Sequence, residues 1–340
     1  MKKIRIEDAV GQTLCHDLTG ISDGRKGVMF TRGYVIKQED IPRLLDIGKS
    51  HVFIWEPGAG EIHEDDAALA AADAVSGPGI TADKAPSEGK VLMYAGTRGL
   101  FRVNRAALRK INSIGDYTIA CLPDMTDVRQ GAKLGGIRIV PLVTKRENVD
   151  SLINTAKENY PVFTVAPYKK LRCGVIITGS EIYHGRIEDK FEPVMRRKMA
   201  KFDADFLGVI KCPDDLDMIL EAISGYKERG AELILLTGGM SVDPDDLTPA
   251  AIRLCGARMI TQGVPMQPGN MLAIAYLDDT VIIGVPGASM NAPVTSFDVF
   301  LPRVFAGVEI MPDDIPGLGE GGFCSVCDEC TYPRCYFGRC

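Results

Sequence analysis

From residue 171 onward the hydrophobic positions switch regularly between two periods. Cys173-Gly174-Val175-Ile176-Ile177-Thr178 is an unbroken apolar run ending at Gly179, the pattern of a parallel strand buried on both faces. A helix is expected over residues 193–202, followed by a strand over 206–210. Leu216, Ile219, Leu220 and Ile223 recur at i, i+3, i+4 and i+7, giving one apolar helical face that Gly230 ends. Leu233-Ile234-Leu235-Leu236 repeats the buried-strand pattern and runs into Thr237-Gly238-Gly239. Thr248-Pro249 opens another helix, Thr as N-cap and Pro in the first helical position, and Gly256 closes it. Strands over 271–276 and 280–285 flank a turn at Leu277-Asp278-Asp279, and a last helix runs over about 291–305. This alternation predicts an α/β domain over 171–310, with a mainly parallel sheet and helices on both faces.

Residues 1–170 read as a mixed α+β region with small sheets. Short strands are expected at 51–55, 91–94, 117–120 and 137–140, with helices at 41–48, 105–114 and, exposed, at 65–74. Gly, Ala, Asp, Glu and Pro crowd residues 57–90, which predicts a division of this region into two parts at a linker there. Gly317 to Gly322 mark residues 311–340 as a flexible Cys-rich tail.

Composition narrows the class. A chain of 340 residues, 46% apolar and 25% charged, has room for about two ordinary soluble domains. No stretch approaches the roughly 20 apolar residues of a membrane helix, so no membrane partner is expected. Met1-Lys2-Lys3 starts with positive charge but no apolar run follows, which reads as a cytoplasmic protein without a signal peptide. The net charge of −6 argues against nucleic acid as a partner.

In sheets of this kind, ligands bind beyond the carboxyl ends of the strands. Three such ends stand out: Thr178, Gly179, Ser180 and Glu181; Thr237, Gly238, Gly239, Met240 and Ser241; and Val285, Pro286 and Gly287. Adjacent glycines in the second let the backbone turn sharply and aim several N–H groups into one concavity, an anion cradle. The helix starting near Pro249 is a further source of N-terminal positive charge for it. Asp214-Asp215 and Asp243, Asp245 and Asp246 lie on neighbouring loops and would repel a phosphate unless a divalent cation stood between. Mg²⁺ bridging an oxyanion or nucleotide fits that pattern; helix N-caps at Asp214 and Asp246 are the plainer alternative.

Together these loops resemble the molybdopterin-binding domain of molybdenum-cofactor biosynthesis proteins, in particular the molybdopterin molybdotransferases, or molybdenum insertases. The family's Thr-Gly-Asp/Ser-Glu appears as Thr178-Gly179-Ser180-Glu181, its Ser-Gly-Gly-x-Ser loop as Thr237-Gly238-Gly239-Met240-Ser241, and its Gly-Leu-Pro-Gly as Gly284-Val285-Pro286-Gly287. Its Asp-Asp after the second strand appears as Asp214-Asp215. The resemblance implies that the Gly-Gly loop holds the terminal phosphate of molybdopterin, and that Asp214 and Asp246 handle Mg²⁺ and molybdate as catalytic carboxylates. It also implies a transferase inserting molybdate into adenylylated molybdopterin, a homo-oligomer, and a molybdoenzyme or another cofactor-biosynthesis protein as partner. The family's N-terminal Asp-Asn-Ser-x-x-Asp-Gly-Tyr-Ala motif is absent, and Asp243 and Ala288 replace a glycine and an asparagine. A non-catalytic cofactor carrier, sensor or chaperone using the same pocket is therefore the alternative.

The tail reads Cys324-x₂-Cys327-x₂-Cys330-x₄-Cys335-x₄-Cys340, five of the ten cysteines in the last 17 residues. Thiolates so spaced are candidate ligands for Zn²⁺ or an iron–sulfur cluster. A disordered redox-active tail or a partner-docking segment is the alternative.

Overall fold

The computed structural model describes residues 2–22, 25–54, 58, 60–240 and 246–339. The chain forms two compact units, one of Met1–Thr97, Phe101–Leu122 and Arg129–Val165, the other of Arg98–Leu100, Pro123–Val128 and Ala166–Cys340.

In the first unit Lys2–Arg5 pairs antiparallel with His51–Ile54, and Leu18–Ser22 with Arg25–Phe30, around a small core of Ile6, Leu14, Phe30, Leu44 and Val52. A second, antiparallel sheet has the order Ile80–Ala82, Lys90–Ala95, Lys133–Ile139, Tyr117–Cys121. The helix expected at 65–74 forms but is not exposed, and the described part of the expected linker at 57–90 includes regular elements. Glu64–Val75 is a helix whose Ala67, Ala68, Ala71, Ala72 and Val75 are buried, and Ile80–Ala82 is a sheet strand. Alanines suit a linker by composition, but on one helical face their small size permits close packing. Arg146–Glu158, not anticipated from the sequence, buries Val149, Leu152 and Ala156 at i, i+3 and i+7.

That buried alanine helix begins with a carboxyl that is itself only 4% exposed, Glu64. Burial, reinforced by the Asp65 charge, pushes its pKa up from 4.5 to about 7. A folded-state pKa above the unfolded one gives stability that is full below the unfolded value and lost as pH rises through about 7. The loss amounts to about 3 kcal/mol. The denaturant midpoint of this unit is expected to fall between about pH 5 and about pH 8, and Glu64→Gln to flatten that slope. An unchanged slope in the variant would assign the pH dependence elsewhere.

Among the described residues, the second unit centres on a six-stranded sheet with five α-helices. In chain order they are β1 (Arg172–Thr178), α1 (Ser180–Tyr183), α2 (Phe191–Ala200), β2 (Asp205–Cys212), α3 (Leu216–Glu228), β3 (Leu233–Thr237), α4 (Thr248–Leu254), β4 (Arg258–Gln262), β5 (Ala273–Leu277), β6 (Thr280–Val285) and α5 (Ser296–Phe305). The sheet order is β2-β1-β3-β6-β5-β4. Neighbours from β2 to β6 run parallel, whereas β5 pairs antiparallel with both β6 and β4. Alternate residues serve two cores. Cys173, Val175, Ile177, Leu233 and Leu235 pack with residues of α2 and α5, and Ile176, Ile234, Leu236 and Ile282 with residues of α3 and α4. Gly174 is required by this packing, because a Cβ there would lie 2.5 Å from the ring of Tyr226. The Tyr226 hydroxyl donates to the carbonyls of Gly208 (2.7 Å) and Val175 (3.1 Å), tying α3 to two strands.

Two expectations need adjustment. The last helix starts at Ser296 rather than near Asn291, because Gly287–Met290 forms a 3₁₀ turn and Thr295 with Asp298 makes a capping box. The Cys-rich segment, expected as a flexible appendage, packs on the unit: Phe337 is buried in the same core as Val299 and Phe300, and Tyr332 Oη donates to Asp298 O (3.2 Å). Among the described residues, no helix is long and apolar enough to cross a membrane.

Candidate ligand-binding site

The sheet register brings the loops together. Thr178 is level with Cys212, Ile177 with Thr237, and Thr237 with Val285. The chain therefore leaves β1, β2, β3 and β6 at one edge, each strand running into a loop that carries one of the motifs.

A cavity of about 310 Å³ opens at this edge, lined by Gly238, Gly239, Met240, Asp246, Met271 and Gly287. Gly238 has φ +88°, and a Cβ on it would sit 2.1 Å from the carbonyl oxygen of Thr178. Only glycine lets the loop fold back against β1 in this way. Two threonines behind the loop fix it. Thr248 Oγ1 donates to Gly238 O (2.9 Å), Thr178 Oγ1 donates to Thr237 O (3.3 Å), and the two hydroxyls lie 3.2 Å apart. Both hydroxyls thus brace the cradle instead of facing a ligand. Thr237 differs: its Oγ1 is buried and has no hydrogen-bond partner among the described residues.

The first loop is braced through Asp214. Ser180 N donates to Asp214 Oδ2 (2.8 Å), and Asp214 N donates to Ser180 Oγ (3.2 Å). Gly179 N donates to Cys212 O (3.2 Å), and Glu181 is exposed. Asp215 is the N-cap of α3 through its side chain to Met218 N (2.9 Å), so the plainer N-cap reading holds for Asp215 and not for Asp214. Thr248 is the first residue of α4 rather than its cap.

The predicted residues thus fall into two groups. Gly238, Gly239, Asp246 and Gly287 line the cavity; Thr178, Ser180 and Asp214 hold its surrounding loops in place. Buried Pro286 positions Gly287 at the start of the 3₁₀ turn. Ser241, Asp243 and Asp245 lie outside the described residues. Sequence reasoning named Met240 only as a member of its loop, and missed Met271 as a lining group and Thr248 as a brace. Methionine in an apolar run carries no signal that separates a pocket wall from a core.

Residues 174–306 match a family model described as a probable molybdopterin binding domain. That stretch lies within the α/β unit and includes the ends of β1, β2, β3 and β6. The molybdopterin molybdenumtransferase of Synechococcus elongatus is 24% identical over 190 residues, 53% of this chain and 45% of the relative. That of Bacillus subtilis is 25% identical over 170 residues, 48% of this chain and 39% of the relative. The chain thus spans less than half the length of these curated relatives. Among solved structures, the molybdopterin biosynthesis enzyme MoaB of Thermus thermophilus matches with a TM-score of 0.33 and 22% identity, over 39% of this chain and 91% of that one. Residues 3–56 match a second family model, described as a domain of unknown function.

The cysteines of the C-terminal segment lie elsewhere in this unit. Cys324, Cys327, Cys330 and Cys335 line a separate cavity of about 350 Å³, and Cys340 is outside the described residues. Among the described residues, no three His, Cys, Asp or Glu side chains converge as a single bound metal ion requires.

Proposed function

We propose that the chain is a molybdopterin molybdotransferase-like enzyme of the cytoplasm. In this reading the Gly238–Gly239 amides hold the terminal phosphate of the pterin, and molybdate is inserted at the adjoining edge. The observation that carries the reading is the cavity at the level ends of β3 and β6, in which a glycine cradle and one carboxylate, Asp246, face the same space. The Thr237 hydroxyl, buried and without a hydrogen-bond partner among the described residues, immediately precedes this glycine pair in the chain.

Mg²⁺ fits this donor set through Asp246, since it takes one or two carboxylates and completes its shell with ligand oxygens. When bound it would neutralise oxyanion charge and template molybdate against the pterin. Asp214 has one carboxylate oxygen committed to the Ser180 amide, so its work is to hold the first loop at the cavity edge. That engagement, with the absent N-terminal motif, favours a cofactor carrier or chaperone as the second reading.

One assay separates them: purified protein, molybdopterin, molybdate and Mg²⁺, read out by reconstitution of an apo-molybdoenzyme. Reconstitution is expected, and Asp246→Asn is expected to lower its rate by at least about 10-fold. Tight pterin binding with no reconstitution would support the carrier, and absence of pterin binding would sink both readings. The Cys-rich segment is assigned a separate role, as a site for Zn²⁺ or an iron–sulfur cluster.

A further inference from the structure

Gly284 is the penultimate residue of β6 and pairs with Leu236 of β3 on one side and Ala273 of β5 on the other. A glycine inside a strand forfeits side-chain packing, and it often marks a place where another group comes close. Its φ lies outside the left-handed region, so space and not backbone conformation reserves the position. A Cβ there would lie 2.6 Å from both Sδ and Cε of Met240, and 3.2 Å from Ala273 Cβ. The Met240 thioether occupies the room that a side chain at 284 would need.

Met240 follows Gly238-Gly239 directly in the chain and lines the same cavity, yet it is only 5% exposed. Its side chain belongs to the core that holds Leu236, Ile252, Ala273 and Ile282. The glycine pair is therefore fixed on both flanks. Gly238 is held by the hydrogen bond from Thr248 Oγ1 to its carbonyl (2.9 Å), and the residue after Gly239 by the plug that Met240 drives over Gly284. Two successive glycines restrain their own backbone less than any other pair, so amides that are to converge on one anion need such fixing from outside. An unbranched thioether suits the task, because it fills a narrow, irregular gap in a core. We infer that Met240, seated on Gly284, is a positioning residue for the glycine cradle, an inference that rests on the phosphate-binding role proposed for that cradle. It sets the depth and direction of the Gly238 and Gly239 amides and acts on the ligand through them.

The test titrates the full chain with molybdopterin and records its backbone amide NMR signals without ligand. Met240→Ala empties the space over Gly284 and is expected to raise the Kd for molybdopterin by about 10-fold. In the ligand-free variant the Gly238 and Gly239 amide signals should shift or broaden, while those of Leu233, Ile234 and Leu235 hold their places. Met240→Leu keeps most of the volume and should bind within about 3-fold of wild type. Gly284→Ala pushes the methionine off its seat and should weaken binding as Met240→Ala does. In the Met240→Ala background it should add nothing, because seat and plug act as one unit. Wild-type affinity and unmoved glycine signals in Met240→Ala overturn the proposal. Additive losses in the double variant overturn it too, as does a Met240→Leu variant as weak as Met240→Ala. Should Met240→Ala fail to fold, the contrast between Gly284→Ala and Met240→Leu gives the same decision. Wild-type protein that binds no molybdopterin would sink the pterin reading alone, since the amide signals still report whether Met240 holds the cradle.

Discussion

Gly238→Ala is expected to abolish pterin binding and to destabilise the α/β unit by about 3 kcal/mol or more. Two independent costs add at this position. A non-glycine residue at φ +88° is strained, and its Cβ would fall 2.1 Å from the carbonyl oxygen of Thr178, a residue of β1, which is paired on both sides. Neither cost can be relieved by turning a side chain. The loop must move off β1, breaking the bond from Thr248 Oγ1 to Gly238 O and dispersing the amides that form the cradle. Gly287→Ala is the matched control. Gly287 lines the same cavity without positive φ, and nothing lies within 4 Å of a Cβ there. Its stability should be unchanged within about 0.5 kcal/mol, so any loss of pterin affinity reports the ligand alone. Chemical denaturation and pterin titration of both variants decide the matter. Equal stability of the two would show that the loop is not held as described.

Lys198→Met is expected to cost about 3–5 kcal/mol. Lys198 Nζ donates to Asp298 Oδ1 (2.5 Å) and Oδ2 (2.6 Å), and the two side chains are only 3% and 7% exposed. Burial pushes the lysine pKa down while Asp298 pulls it back up. Without the ammonium, Asp298 would be left as a buried charge supported by the Thr295 amide (2.9 Å). Asp298→Asn in the same background removes that charge and keeps an acceptor for the cap, so the double variant should recover much of the loss. The pair also reaches the ligand site, because Thr295 Oγ1 lies 2.8 Å from Ser289 Oγ in the 3₁₀ turn after Gly287. Weaker pterin binding should therefore accompany the single substitution. A double variant as unstable as the single one would mean that the lysine acts by packing and not by charge.

The sequence was most readable where burial is two-sided. Runs such as Val175-Ile176-Ile177 and Leu233–Leu236 have no exposed face, so they stand out without knowledge of their partners, and the glycines that end them mark the site edge. β4 escaped notice because Arg258 and Gln262 are exposed at its ends and only Ile260 is buried. The first unit was harder still. Lys133–Ile139 was expected as a strand only from Ile137 on, because Gly135-Gly136 breaks its apolar pattern, yet Gly135 and Gly136 pair with strands on both sides. Such a strand is specified by distant partners, and local periodicity does not reveal them. Within the site, glycines and carboxylates were legible because few other tasks demand them in that order. The bracing role of Thr248 and the lining by Met240 and Met271 depend on how β3, α4 and the chain before β5 meet in space.

Phe337 bears on how far the α/β unit depends on its irregular Cys-rich segment. It is 2% exposed and packs in the same core as Val299 and Phe300 of α5. Cutting the chain before this segment would strip a large aromatic side chain from that core and leave a void beside α5, so the trimmed unit should lose stability as a core truncation does.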